Sequence, residues 1–218
     1  MMISLTEENY LKAMFNLSQV TGEVFVNDLS KELDIKMPSV TSMVKRLASK
    51  NLVNYQSYKP LTLTEKGEKL ALSIIRKHRL TEMFLVEKMG FGWEEVHEVA
   101  EQIEHIHSPK FFAKMDEMLG YPTVDPHGSP IPDSHGNIHQ KTYQSLANFN
   151  KGDKVKFVAV TNSSDDFLKY LNSKEINLGL TLIILDKEEF DQSMTVYFNE
   201  KTIVLSQKVT QKILVEKQ

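Results

Sequence analysis

The segment WEEVHEVAEQIEHIH at 93–107 holds the residues best suited to chemistry. At about 100° per residue, Val96, Val99, Ala100, Ile103 and Ile106 form one apolar sector of a helix. His97, Glu101, Glu104 and His105 fall on an adjacent arc, at spacings of i+4, i+3 and i+4. Upstream, His78 and Glu82 repeat the i, i+4 pairing. Imidazole and carboxylate pairs on facing helices are a standard way to hold a divalent cation inside a bundle. With no thiolate, such a set suits manganese, ferrous iron, cobalt or zinc, and disfavours copper(I). A solvated acidic face with incidental histidines is the alternative. An H-E-x-x-H hydrolase motif is absent. His127, His135 and His139 lie in a polar, proline-rich stretch and are expected to be solvated.

The elements that must position these groups can be read from periodicity. Residues 5–20 are a helix with Thr6 as N-cap, and 27–34 a short helix capped by Asn27. A helix over 38–50 opens on Pro38. Residues 52–55 and 60–63 read as short strands. Thr64 caps a long helix over 65–88. A helix from Trp93 to about His107 follows, and Pro109 opens another to about Leu119. Residues 120–142 are a linker or surface strap. Beyond it, 155–161, 179–185, 194–198 and 202–205 are strand-like, with a helix over 164–172: a small, mostly β domain.

The chain has 218 residues, a formal net charge of −3 and no cysteine. A disulfide framework, thiolate zinc sites and cysteine nucleophiles are therefore excluded. No apolar run approaches the roughly 18–20 residues that span a membrane, and the N-terminus lacks a basic and apolar leader. A cytoplasmic protein with no membrane partner is expected. The small net charge hides an asymmetry. Between Lys36 and Arg79, ten basic residues meet only Glu65 and Glu68, whereas from Leu80 to Gly120 nine acidic residues meet Lys88, Lys110 and Lys114. A basic block suggests a polyanion, and an acidic block with histidines suggests a cation.

Helix, turn, helix and two-stranded ribbon make a winged helix-turn-helix, whose second helix fits the DNA major groove. Val40, Val44 and Leu47 face inward. Ser39, Thr41, Ser42, Lys45 and Arg46 face outward, where hydroxyls permit close approach and the two cations anchor phosphates. Tyr58 and Lys59 sit at the ribbon tip, where a wing meets the DNA backbone. Double-stranded operator DNA is the expected partner.

Five stretches in this order, PSVTSMVKRLASKNLV (38–53), LTEKGEKLA (63–71), RKHRLTEMFL (76–85), VHEVAEQIEH (96–105) and HGSPIP (127–132), carry a family likeness. The chain closely resembles the diphtheria toxin repressor family of metal-dependent transcriptional repressors. The resemblance implies an α+β chain: a winged helix-turn-helix over 1–64, a helical dimerisation and metal-binding domain over 65–142, and an SH3-like (FeoA-like) β-barrel domain over 143–218. It implies a non-enzymatic homodimeric repressor that grips a palindromic operator when metal is bound. Carried over by motif, an activating site would use Glu101, Glu104, His105 and Asn9. An ancillary site would use His78, Glu82 and His97, with Asp166 a candidate from the third domain; Ser163 falls where such members often carry Glu.

Glu101 stands where iron-responsive members carry Cys and manganese-responsive members carry Glu. Asn9 stands where the iron branch has Met and the manganese branch Asp. Lys12 stands where the manganese branch can place a further Glu; a cation there cannot ligate, but could pair with Glu101 or Glu104. Hard oxygen ligands favour Mn2+ as corepressor over Fe2+. Two other classes remain: a winged-helix regulator with an organic effector in an apolar pocket, and a metal-dependent enzyme with a nucleic-acid-binding head.

Overall fold

The computed structural model describes residues 3–138, 142–161 and 164–218. His139 and Ser163, named above, lie outside the described residues. The chain forms two compact units: one of Met1–Thr81, Val99–Thr123 and Ile131–His139, the other of Glu82–Glu98, Val124–Pro130 and Gln140–Gln218.

The first unit opens with α1 (Leu5–Thr21). Its N-cap is Ser4 rather than Thr6. The Ser4 N–H donates to Glu7 Oε2 at 2.8 Å and the Glu7 N–H donates to Ser4 Oγ at 3.3 Å, a reciprocal box that satisfies two otherwise orphaned donors. Helix α2 (Val26–Glu32) starts after Phe25, whose N–H donates to Asp28 Oδ2 at 2.8 Å. That bond, rather than an Asn27 cap, defines the start. Helix α3 (Met37–Ser49) carries Pro38 in its first turn and buries Val40, Val44 and Leu47. Strands β1 (Val53–Asn54) and β2 (Thr62–Leu63) pair antiparallel in the register Val53↔Leu63. Tyr10, Leu11, Leu29, Val44, Leu47 and Ile75 belong to one buried cluster, each fully buried large side chain worth roughly 1.5–3 kcal/mol.

Helix α4 (Glu65–Met89) begins on Thr64, whose Oγ1 accepts from the Gly67 N–H at 3.1 Å. Gly67 is there because a Cβ would meet the Leu52 carbonyl oxygen at 2.0 Å. The next helix is shorter than its pattern: α5 covers only His97–Ile103. On one side the Gly92 N–H donates to the Glu95 carboxylate at 2.9 Å, closing a tight turn. On the other, Pro109 biases Ser108 away from helical backbone. Ser108 then caps α6 (Pro109–Met118).

The proline-rich stretch is ordered where it is described. Asp125 Oδ1 accepts from the N–H groups of His127 and Ser129, and the Val160 N–H donates to the His127 carbonyl at 3.0 Å. His127 is therefore 3% exposed and not solvated; His135 is exposed, as expected. Gly128 has φ +84°, and a Cβ there would strike the Val158 carbonyl oxygen at 2.2 Å. The strap can lie this close to the second unit's sheet only with glycine at that point.

That sheet has six antiparallel strands in the order β3-β8-β4-β5-β6-β7. They are β3 (Gln144–Ser145), β4 (Lys154–Val160), β5 (Thr181–Lys187), β6 (Met194–Phe198), β7 (Lys201–Leu205) and β8 (Ile213–Lys217). Helix α7 (Asp165–Ser173) adds Phe167, Leu168 and Leu171 to its core. The expected barrel is instead an open sheet among the described residues, with β3 and β7 as its edges. Strand β8 pairs with β4 and β3 between them, although its last residues are charged.

Candidate metal centre and DNA-reading surface

Helix α1 places Glu8, Asn9 and Lys12 within one turn. Glu8 is buried, and the His105 Nδ1–H donates to its Oε2 at 2.5 Å. Lys12 Nζ donates to Glu101 Oε1 at 2.5 Å and to Glu104 Oε1 and Oε2 at 2.8 and 3.0 Å. Glu104, 0% exposed, also takes the His78 Nδ1–H on Oε2 at 2.6 Å. His105 Nε2 lies 3.5 Å from Glu104 Oε1. Burial pushes the Glu104 carboxyl upward, but the His78 hydrogen bond and the Lys12 ammonium outweigh it and hold the group below the usual carboxylate range. Asn9 Oδ1 is buried without a hydrogen-bond partner. Such an atom is costly unless something coordinates it.

Thus Glu101 and Glu104 are joined in the first unit through Lys12, Glu104 also meets His105 and His78, and Asn9 is the neighbour of Glu8 on α1. Glu82 and His97 pair in the second unit, His97 Nδ1 lying 3.5 Å from Glu82 Oε1. Asp166 is exposed in the first turn of α7.

Three participants carry no distinguishing sequence signal of the helical kind. Glu8 is one of two acidic residues in the first turn of α1. Asp125 and His127 lie in the stretch expected to be a linker or surface strap. Instead Glu82, Asp125 and His127 are all buried, with ligand-capable atoms within 4.8 Å of one another. His127 Nε2–H donates to the Trp93 carbonyl at 2.8 Å, leaving Nδ1 3.7 Å from Glu82 Oε2. Burial pushes the imidazole down, but Glu82 and Asp125 raise it above the usual histidine value. The spacing D-x-H-x-S, which favours a turn closed by the aspartate, was the available signal.

On α3, Ser39, Ser42, Lys45 and Arg46 are exposed; Thr41 is half-buried and its hydroxyl donates to the Met37 carbonyl. Tyr58 at the ribbon tip is 102% exposed with φ 64°, and Lys59 beside it is exposed. Arg46 and Lys50 also hold α1: Arg46 Nε and Lys50 Nζ lie 3.0 and 2.6 Å from Glu7 Oε1, whose side chain is 0% exposed.

The comparisons with known proteins bear on this arrangement. A family model for the iron-dependent repressor N-terminal DNA binding domain matches residues 2–61, and one for the iron-dependent repressor metal binding and dimerisation domain matches 64–133. A FeoA domain model matches 144–217. The HTH-type transcriptional regulator MntR of Oceanobacillus iheyensis is 31% identical over 114 residues, 52% of this chain and 77% of that one. This chain belongs to the diphtheria toxin repressor family.

The iron-dependent repressor IdeR of Mycobacterium tuberculosis is 36% identical over 127 residues, 58% of this chain, so the match spans only 55% of that relative's length. Along the whole fold, this family member is similar to the solved structure of a manganese-dependent transcriptional repressor in complex with manganese. The TM-score is 0.87 at 30% identity, covering 97% of this chain and 100% of that one. It is also similar to ScaR with bound Zn2+, with a TM-score of 0.79 at 30% identity over 97% and 99%. Among the described residues no helix is long and apolar enough to cross a membrane.

Proposed function

We propose that the chain is a metal-activated, homodimeric transcriptional repressor that binds double-stranded operator DNA, with Mn2+ as corepressor. The observation that carries this reading is that one helix serves both ends of the switch. On α1, Glu7 holds Arg46 and Lys50 of the reading helix region, while Glu8 and Lys12 meet His105, Glu101 and Glu104.

The donor set fits a divalent ion. Asn9 Oδ1 is buried and unpartnered, and Glu101, Glu104 and His105 complete a group of hard oxygen and imidazole donors. When bound, the ion supplies positive charge among buried carboxylates. Asn9 would contribute a neutral oxygen from α1, and Glu101, Glu104 and His105 the donors from α5 and the turn after it. Drawing these together fixes α1, and with it α3 through Glu7. In a dimer the two copies of α3 would then present Ser39, Thr41, Ser42, Lys45 and Arg46 to half-sites about one helical turn apart, with Tyr58 and Lys59 on the flanking backbone. Metal favours the DNA-competent state by its differential affinity for it.

Glu82 and His97, with Asp125 and His127 beside Glu82, are the nucleus of an ancillary site, and His78 and Asp166 remain candidates for it. Carboxylate and amide oxygens without thiolate favour manganese over ferrous iron. The test is fluorescence anisotropy on operator DNA under anaerobic conditions, with Mn2+, with Fe2+ and with neither. Tighter binding with Mn2+ is expected; equal affinity in all three would overturn the reading. The same titration addresses the organic-effector class. A cavity of about 540 Å³ in the first unit, lined by Leu70, Ile74, Ile106 and Phe112 beside Glu8 and Lys77, could house such a ligand.

A further inference from the structure

Lys12 is a tightly held cation of the first unit's carboxylate cluster. Its side chain is 14% exposed, and its ammonium touches three carboxylate oxygens, Glu101 Oε1 and both oxygens of Glu104. An ammonium has three protons to donate, so these contacts use them all. The oxygens it holds belong to the residues that the functional reading assigns to the ion.

We propose that Lys12 is a built-in competitor that makes metal entry a cation exchange. Two arguments support it. The first is geometric. An ion that takes Glu101 and Glu104 as ligands needs oxygens that Nζ contacts, so the ammonium must withdraw before both carboxylates can coordinate. The second is charge. Glu8, Glu101 and Glu104 bring three negative charges. Lys12 offsets part of that charge, with Lys77, which also faces Glu8 and Glu104. Carboxylates left unpaired in a low-dielectric site are costly, so the ammonium is retained until a cation of higher charge replaces it. Lys12 thus sets the concentration at which the switch responds.

This inference rests on the metal reading above, and its test separates the two. Mn2+ binding to the full chain is followed by equilibrium dialysis with elemental analysis, for the wild type, Lys12→Met and Lys12→Gln. Both variants should bind Mn2+ at least tenfold more tightly. Unchanged or weaker affinity in both overturns the proposal while leaving the metal reading intact. Failure of every protein, the wild type included, to bind Mn2+ would sink both.

A wild-type measurement keeps the question open to refutation should the variants misfold. The ¹⁵N-labelled lysine ammonium signals are recorded with and without Zn2+. One slowly exchanging signal, assigned to Lys12 by its loss in Lys12→Gln or by selective coupling to Glu104, should disappear when Zn2+ is added. Its persistence in the Zn2+-loaded protein would overturn the exchange.

Discussion

Two clusters of histidine and carboxylate groups, one in each unit, offset their buried charge by different means. In the first, Glu104 is balanced by a lysine from another helix and by His78. In the second, Glu82 faces His127, whose ring is held by the Trp93 carbonyl and which gains its proton more readily than usual. The first compensating charge is on a flexible stem that can swing away. The second is on a ring fixed by the hydrogen bond at its far nitrogen, an arrangement typical of histidines that serve metals. In the proposed reading, the first cluster would therefore switch and the second would hold its ion steadily. The first also lies on α1, which is tied to α3, whereas the second is built from α4, α5 and the strap over the sheet.

The comparison breaks most sharply at Glu104. Glu104→Ala or His105→Ala should abolish metal-stimulated operator binding, a loss of about 100-fold or more in anisotropy titrations, with the fold retained by circular dichroism, because each removes a proposed donor to the ion; Glu104→Ala also leaves His78 and Lys12 without their shared partner. Glu82→Ala should weaken the response by less. The opposite order would exchange the roles of the two clusters. Next in size, Glu7→Gln removes the charge that Arg46 and Lys50 share. Both partners are partly solvated, so the cost should be roughly 1–2 kcal/mol in urea melts. Metal affinity should be little changed while its coupling to DNA binding falls; equal loss of both would remove α1 as the connecting element.

The smallest effect concerns pH. The folded His127 value is raised, so its contribution to stability is complete below the ordinary histidine range and is lost as pH rises through the folded value. Thermal melts of the metal-free protein should therefore show His127→Gln costing more at acidic than at alkaline pH. A cost that grows with pH would mean that the neutral ring is the favoured form.

Much of the reading head was legible because its signals are local. The inward Val40, Val44 and Leu47, Pro38 at the start of α3 and Thr64 at the start of α4 each act within a turn or two of chain. The helix carrying His97 and Glu101 was legible as a stripe, but its length was overestimated because periodicity continues through residues that Gly92 and Pro109 remove from the helix, Glu104 and His105 among them. Asp125 and His127 were hidden by composition: a stretch rich in proline and glycine reads as linker, and only its hydrogen bonds to Trp93 and Val160 bury it. Strand β8 was hidden because its end is charged, and its place in the sheet depends on distant partners.

The sequence by itself determined the donor types, their helical spacing, the absence of thiolate and the winged reading head, since these follow from residue chemistry and short-range periodicity. Only the tertiary structure decided that Glu8 would hold His105, that Lys12 would lie on Glu101 and Glu104, and that Asn9 would have a buried oxygen without a partner. Those contacts join residues about ninety positions apart, and which of them form is settled by how α1 packs against α4 and α5, a long-range choice that no local pattern encodes.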